Sequence, residues 1–116
     1  MEDAMTTDTR ELKDLKCSAR FDEETRQRLE RISKAGGMTI ADVIRILSNR
    51  GIARQNLRWM DYAREDAGLS WKLSMRIEPR RRDSLDALAT SNGIGRGALI
   101  RAMVEFGLTQ MQGDEL

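Results

Sequence analysis

The sequence predicts a mostly helical α+β fold made of two copies of one small unit. Their strands pair as an antiparallel two-stranded ribbon, and their helices form a four-helix core, with a pseudo-twofold axis between the copies. Three observations lead to this expectation. Shifted by 56 residues, the chain matches itself without a gap, residues 16–52 falling on 72–108. Each copy opens with a short run of alternating polar and apolar residues. Each then carries two stretches of helical periodicity punctuated by glycine.

Nine aligned positions are identical, among them Lys16/Lys72, Ser18/Ser74, Arg20/Arg76, Leu29/Leu85, Gly37/Gly93, Arg45/Arg101 and Gly51/Gly107, where chance supplies about two. Other positions keep their character, as at Phe21/Ile77, Ile32/Leu88, Val43/Leu99 and Leu47/Met103. The duplication divides the chain into a polar leader (1–15), unit one (16–52), a partly helical linker (53–71), unit two (72–108) and a short acidic tail (109–116). The overall charge of +1 hides an uneven distribution. Unit one has eight basic residues against five acidic and unit two seven against four, whereas the leader has two against five. Two basic units in a nearly neutral chain point to an anionic partner.

The first element of each unit is a strand. Lys16, Ser18 and Arg20 alternate with Cys17, Ala19 and Phe21, and Lys72, Ser74 and Arg76 with Leu73, Met75 and Ile77. A period of two marks a strand buried on one face. On the apolar face Cys17 serves as a small hydrophobe. A helix follows, with Asp22 as N-cap in unit one and Glu78-Pro79 at the start in unit two, proline being favoured at the first helical position. Leu29, Ile32, Leu85 and Leu88 face inward, and Gly37 and Gly93 stop these helices. The second helix of unit one starts at Thr39, which forms a capping pair with Asp42, and Ile40, Val43, Ile44 and Leu47 line it. In unit two Gly95 takes the cap position, and Leu99, Ile100, Met103 and Phe106 form the stripe. Gly51 and Gly107 are expected to close these helices. A lone unit has two unpaired strand edges and too little to bury, so the two units must fold together.

Composition excludes several functions. The chain has no histidine and one cysteine, which removes histidine-based triads and most zinc sites; no metal, cofactor or catalytic residue is expected. A single cysteine makes no internal disulfide. No apolar run approaches the roughly 18–20 residues that cross a bilayer. Residues 1–9 carry three acids and no apolar stretch, unlike a signal peptide. A soluble, cytoplasmic, non-enzymatic protein is expected. Gly93-x-Gly95-x-Gly97 lacks the strand–turn–helix setting of a nucleotide loop and reads as a turn between helices.

At this point the residues resemble a known family. A strand with alternating polar side chains, a helix, a Gly-x-Thr turn and a helix containing Ile-Arg are similar to the ribbon-helix-helix superfamily of DNA-binding proteins. The matching stretches are 37–45 and 93–101, and the resemblance covers about two-thirds of the chain. Members are usually dimers of one unit; this chain resembles the rarer single-chain tandem form, known among accessory proteins of conjugative DNA transfer. The resemblance implies sequence-specific binding of duplex DNA by the ribbon in the major groove, in a bacterial-type cytoplasm on nucleoid or plasmid DNA. The protein is then expected to be a transcriptional repressor or a DNA-transfer accessory protein. Self-association along DNA is also implied. Lys16, Ser18, Arg20, Lys72, Ser74 and Arg76 would read base edges, the arginines presenting a fork to guanine O6 and N7. With identical triplets, the site should be a short imperfect inverted repeat.

The resemblance also implies a phosphate clamp at the start of each second helix. Met38 and Thr39 would form it in unit one, and Ile94, Gly95 and Arg96 in unit two. Unit two departs from the family pattern at Gly95, Arg96 and Gly97, so one half would grip the backbone differently. Arg80, Arg81 and Arg82 lie in the first turn of a helix, where cations are disfavoured. They read either as further phosphate contacts or as a solvated charge run. Arg45 and Arg101 read as structural, paired with Glu30 or another acid. Leu57, Trp59, Met60, Tyr62, Leu69 and Trp71 predict a linker packed on the body, with an aromatic patch for a protein partner as the other reading. The competing function is a protein-interaction module, antitoxin-like or a scaffold, although residues 109–116 are short for a partner-binding tail.

Overall fold

A computed structural model describes residues 15–54, 57–63, 69 and 71–116. Among the described residues the chain is a mostly helical α+β fold with two strands and four α-helices. Strand β1 (Leu15–Phe21) is followed by α1 (Glu23–Gly36) and α2 (Ile40–Arg54). A short 3-10 helix (Leu57–Tyr62) leads on to β2 (Trp71–Ile77), α3 (Pro79–Ser91) and α4 (Arg96–Thr109). Strand β1 takes in Leu15, which the sequence assigned to the leader; residues 1–14 lie outside the described residues, as do parts of the linker. Among the described residues, no helix is long and apolar enough to cross a membrane.

β1 and β2 pair antiparallel, with Lys16 opposite Arg76, Ser18 opposite Ser74 and Arg20 opposite Lys72. Alternation sends Cys17, Ala19, Phe21, Met75 and Ile77 into the core, while Leu73 is only half-buried. Burial pushes the Cys17 thiol above its ordinary value. The helices interlock across the ribbon: α4 packs on β1 and α2 on β2, so each unit's second helix supports the other unit's strand. α2 and α4 also pack on each other. Val43, Ile44, Leu47, Leu99, Ile100 and Met103 are buried between these layers.

Local chemistry fixes the helix ends. Asp22 accepts a bond from the Thr25 N–H at 2.8 Å, and α3 starts with Pro79 in its first turn. Both first helices end in the same pair of reverse bonds: Met38 N to Ser33 O and Gly37 N to Lys34 O, then Ile94 N to Ala89 O and Gly93 N to Thr90 O. Gly37 and Gly93 sit at φ of 62° and 70°, the left-handed region that favours glycine.

Gly51 and Gly107 do not end helices, contrary to expectation; α2 runs to Arg54 and α4 to Thr109. At Gly107 a side chain would meet Leu47 Cδ2 at 3.0 Å, so this glycine permits close approach of α4 to α2. Tertiary packing outweighs the roughly 1 kcal/mol that glycine costs inside a helix. On α3, Ala89 is buried beside Leu85, and Leu88 is half-buried.

Trp59 is buried at 1% exposure, on the 3-10 helix that packs against α4. Tyr62 sits 5.9 Å from the Phe106 ring. Trp71 belongs to β2, lies 5.9 Å from Phe21 and carries the Arg26 guanidinium over its face at 5.6 Å. Of these aromatic residues Trp59 is buried in the molecule, while Tyr62 and Trp71 are half-buried. The C-terminal segment is also tied down: Asp114 pairs with Arg31 at 3.2 Å, and Arg28 donates to the Gly113 carbonyl.

Candidate nucleic-acid interface

The ribbon brings together all six residues proposed to read bases. Lys16, Arg20, Lys72, Ser74 and Arg76 are exposed, and Ser18 is half-buried. They occupy the outer face because the inner face is committed to the core. A serine pair marks the centre of this face, with a lysine opposite an arginine on either side. Like charges placed directly opposite on a ribbon are destabilising by a few tenths of a kcal/mol or more. No acidic residue of either strand shares the face. Along each strand the two charged positions are four residues apart, about 13 Å at strand rise.

Two arginines brace this face from behind. Arg45 of α2 donates from Nε and Nη2 to the Arg76 carbonyl, at 2.9 and 2.7 Å. Arg101 of α4, fully buried, donates from Nη1 to the Arg20 carbonyl at 3.3 Å. Each therefore holds the backbone of an arginine on the other unit's strand. Arg45 is also ion-paired with Asp42 at 2.7 Å, whereas Glu30, named from sequence as a partner, pairs with Arg26 instead. One helical turn separates Asp42 from Arg45, which makes the nearer acid the better partner.

The starts of the second helices differ. At α2 the Thr39 hydroxyl accepts the Asp42 N–H at 3.1 Å, and Asp42 Oδ2 accepts the Thr39 N–H at 3.4 Å, a reciprocal capping box. Hydrogen bonds from Thr39, with the Arg45 guanidinium adding to them, hold the Asp42 carboxyl below its usual range. At α4 the cap residue Gly95 makes no side-chain bond.

The phosphate clamp expected from sequence needs correction. The Met38 and Ile94 N–H groups are taken by the carbonyls of Ser33 and Ala89, because the helix-ending turn uses them. Thr39 donates its N–H to a carboxylate. Arg96 is paired with Asp86 at 2.8 Å, so its charge is partly offset. Gly95 is exposed, with nothing within 4 Å of where a side chain would stand.

The three consecutive arginines also separate. Arg81 is hydrogen-bonded to Asn49 Oδ1, joining α3 to α2, and Arg82 lies 3.9 Å from Asp86. Arg80 is exposed and has no ion pair among the described residues.

Gly97 stood out in the sequence as a departure from the family pattern, but its packing role did not. A side chain there would meet the Ser18 carbonyl at 3.1 Å, so the first turn of α4 lies almost on the ribbon backbone at its centre. The signal was present in the duplication, since Ala41 occupies the matching position of unit one. Among the described residues, no group of three or more metal-binding side chains forms. No protein-family model, curated protein or solved structure matches the chain.

Proposed function

We propose that this chain is a tandem ribbon-helix-helix protein that binds specific sequences in double-stranded DNA by laying its ribbon in the major groove. The observation that carries the reading is the outer face of the ribbon: two like-charged cross-strand pairs flanking a serine pair, with no acidic residue at any strand position among the described residues. Basic residues placed opposite one another across a ribbon favour an anionic partner.

Geometry supports DNA as that partner. The major groove admits a two-stranded ribbon. A spacing of about 13 Å between the charged pairs spans close to four base-pair steps of about 3.4 Å. Arg20 and Arg76 supply forks for guanine, with Lys16 and Lys72 beside them and the serines between. Phosphate contact falls mainly to the α4 start at Gly95 and to Arg80, with the Thr39 end of α2 weaker because a carboxylate occupies it.

The register also supports a pseudo-twofold relation between the units. Pairs 16/76 and 20/72 exchange when one unit is renumbered onto the other, and 18/74 maps onto itself. Both first helices end in the same turn, and Arg45 and Arg101 make corresponding cross-unit bonds. On this reading the operator is a short imperfect inverted repeat, and the protein is a repressor or a DNA-transfer accessory protein acting in the cytoplasm.

Selection of duplexes from a random pool tests the proposal, followed by titration of the selected duplex against salt. An enriched inverted repeat, with log affinity falling linearly with log salt, is expected. Weak binding that is blind to sequence would overturn it in favour of a protein-interaction module.

A further inference from the structure

We propose that Asp42 and Arg45 are positioning residues which tie the start of α2 to one end of the base-reading ribbon, so that the two half-sites are read with unequal stringency. The inference rests on the DNA reading above and deepens it. The connection can be followed atom by atom. The Thr39 N–H donates to Asp42 Oδ2 at 3.4 Å, and Arg45 Nη1 donates to Asp42 Oδ1 at 2.7 Å. The other two nitrogens of the same guanidinium, Nε and Nη2, donate to the Arg76 carbonyl at 2.9 and 2.7 Å. One planar group thus fixes a helix start and a strand at once, and its rigid fork is suited to that task in a way a lysine is not.

The matching positions of unit two are built differently. Gly95 stands for Thr39 and Ala98 for Asp42, so neither the capping hydroxyl nor the Asp42 carboxylate of this relay has a counterpart at the matching position. Arg101 is buried and donates to the Arg20 carbonyl at 3.3 Å. The Arg20 end of the ribbon is therefore held by a guanidinium locked in the core. The Arg76 end is held by one that is a third exposed and depends on Asp42 for its orientation. A displacement at the α2 start is transmitted through this guanidinium to the Lys16/Arg76 end of the ribbon, whereas the α4 start meets the ribbon at its centre, where Gly97 lies against the Ser18 carbonyl.

The test uses the full chain. Amide hydrogen exchange on the free protein should show Arg45→Gln loosening the ribbon where Lys16 faces Arg76, but not where Arg20 faces Lys72. Affinities are then measured for the selected duplex and its single-base-pair variants. Discrimination should fall about tenfold, within the range one bidentate contact supplies, at the base pairs under Lys16 and Arg76 only. Arg45→Lys keeps the charge without the fork and should fall between. Combining Asp42→Ala with Arg45→Gln should cost no more discrimination than Arg45→Gln alone, since both break one relay.

Unchanged exchange at the Arg76 end, equal losses at both half-sites, or additive effects of the two substitutions would overturn the relay. If no duplex is enriched by the wild-type protein, the DNA reading fails, and the exchange experiment still decides whether Arg45 and Asp42 hold the ribbon end.

Discussion

Removing both ribbon arginines gives the sharpest test of how this protein would recognise DNA. Arg20→Ala combined with Arg76→Ala takes away two exposed side chains and leaves their backbone carbonyls, the acceptors for Arg101 and Arg45, in place. Each bidentate guanine contact is worth about 1–3 kcal/mol. The two positions lie on different strands at opposite ends of the reading face, about 13 Å apart by strand rise, far enough for their effects to add. The double substitution should therefore weaken binding to the selected duplex by about 2–6 kcal/mol, or roughly 30-fold to 10⁴-fold. Binding to an unrelated duplex should weaken far less, because that term depends on total charge near phosphates. Fluorescence anisotropy with the two labelled duplexes measures the contrast, and thermal unfolding checks that the fold survives. Full affinity for the selected duplex, or an equal loss on both, would refute ribbon readout.

Three further predictions concern the frame behind that face. Trp59→Ala should destabilise the fold by about 3–5 kcal/mol in denaturant titrations, as expected for a large aromatic lost from a packed core. Asp42 has a folded-state pKa below its unfolded value, so the stability it supplies is present above the unfolded pKa and drains away as pH falls through the folded one. Denaturation of Asp42→Asn across that acidic window should show a flatter pH dependence than the parent chain. Cys17, buried with its thiol pushed up in pKa, should resist alkylation at neutral pH in the native state and react at the rate at which the chain unfolds.

Much of this architecture could be read from pattern because the physics was local. A period of two in 16–21 and 72–77 assigns faces, and a glycine at positive φ after a run of helical spacing marks an end; neither needs knowledge of distant residues. The polar outer face of the ribbon could be read for the same reason. What escaped was set by contacts between units. Gly107 looked like a stop signal, yet its role comes from Leu47 on the opposing helix. Trp59 was expected to pack on the body, but its target, α4, lies in unit two and no pattern names it. The backbone donors at Met38 and Ile94 looked open because their acceptors, Ser33 and Ala89, belong to the preceding helix end. Arg45 was read as structural, but its target is a carbonyl, which every residue carries and no sequence pattern advertises.

The pairing of β1 with β2 inside one chain bears on how such a protein responds to dilution. A ribbon assembled from two separate chains comes apart by mass action as protein becomes scarce, and its folding midpoint moves with concentration. Here the second strand is delivered by the same polypeptide, and each half's helix braces the other half's strand. A handful of molecules per cell would keep intact ribbons, and on the DNA reading proposed above occupancy of a single operator would follow a simple hyperbola rather than a curve steepened by subunit association. Covalent linkage also releases the halves from having to be identical, so one can acquire Gly95 and Gly97 while the other keeps Thr39 and Asp42.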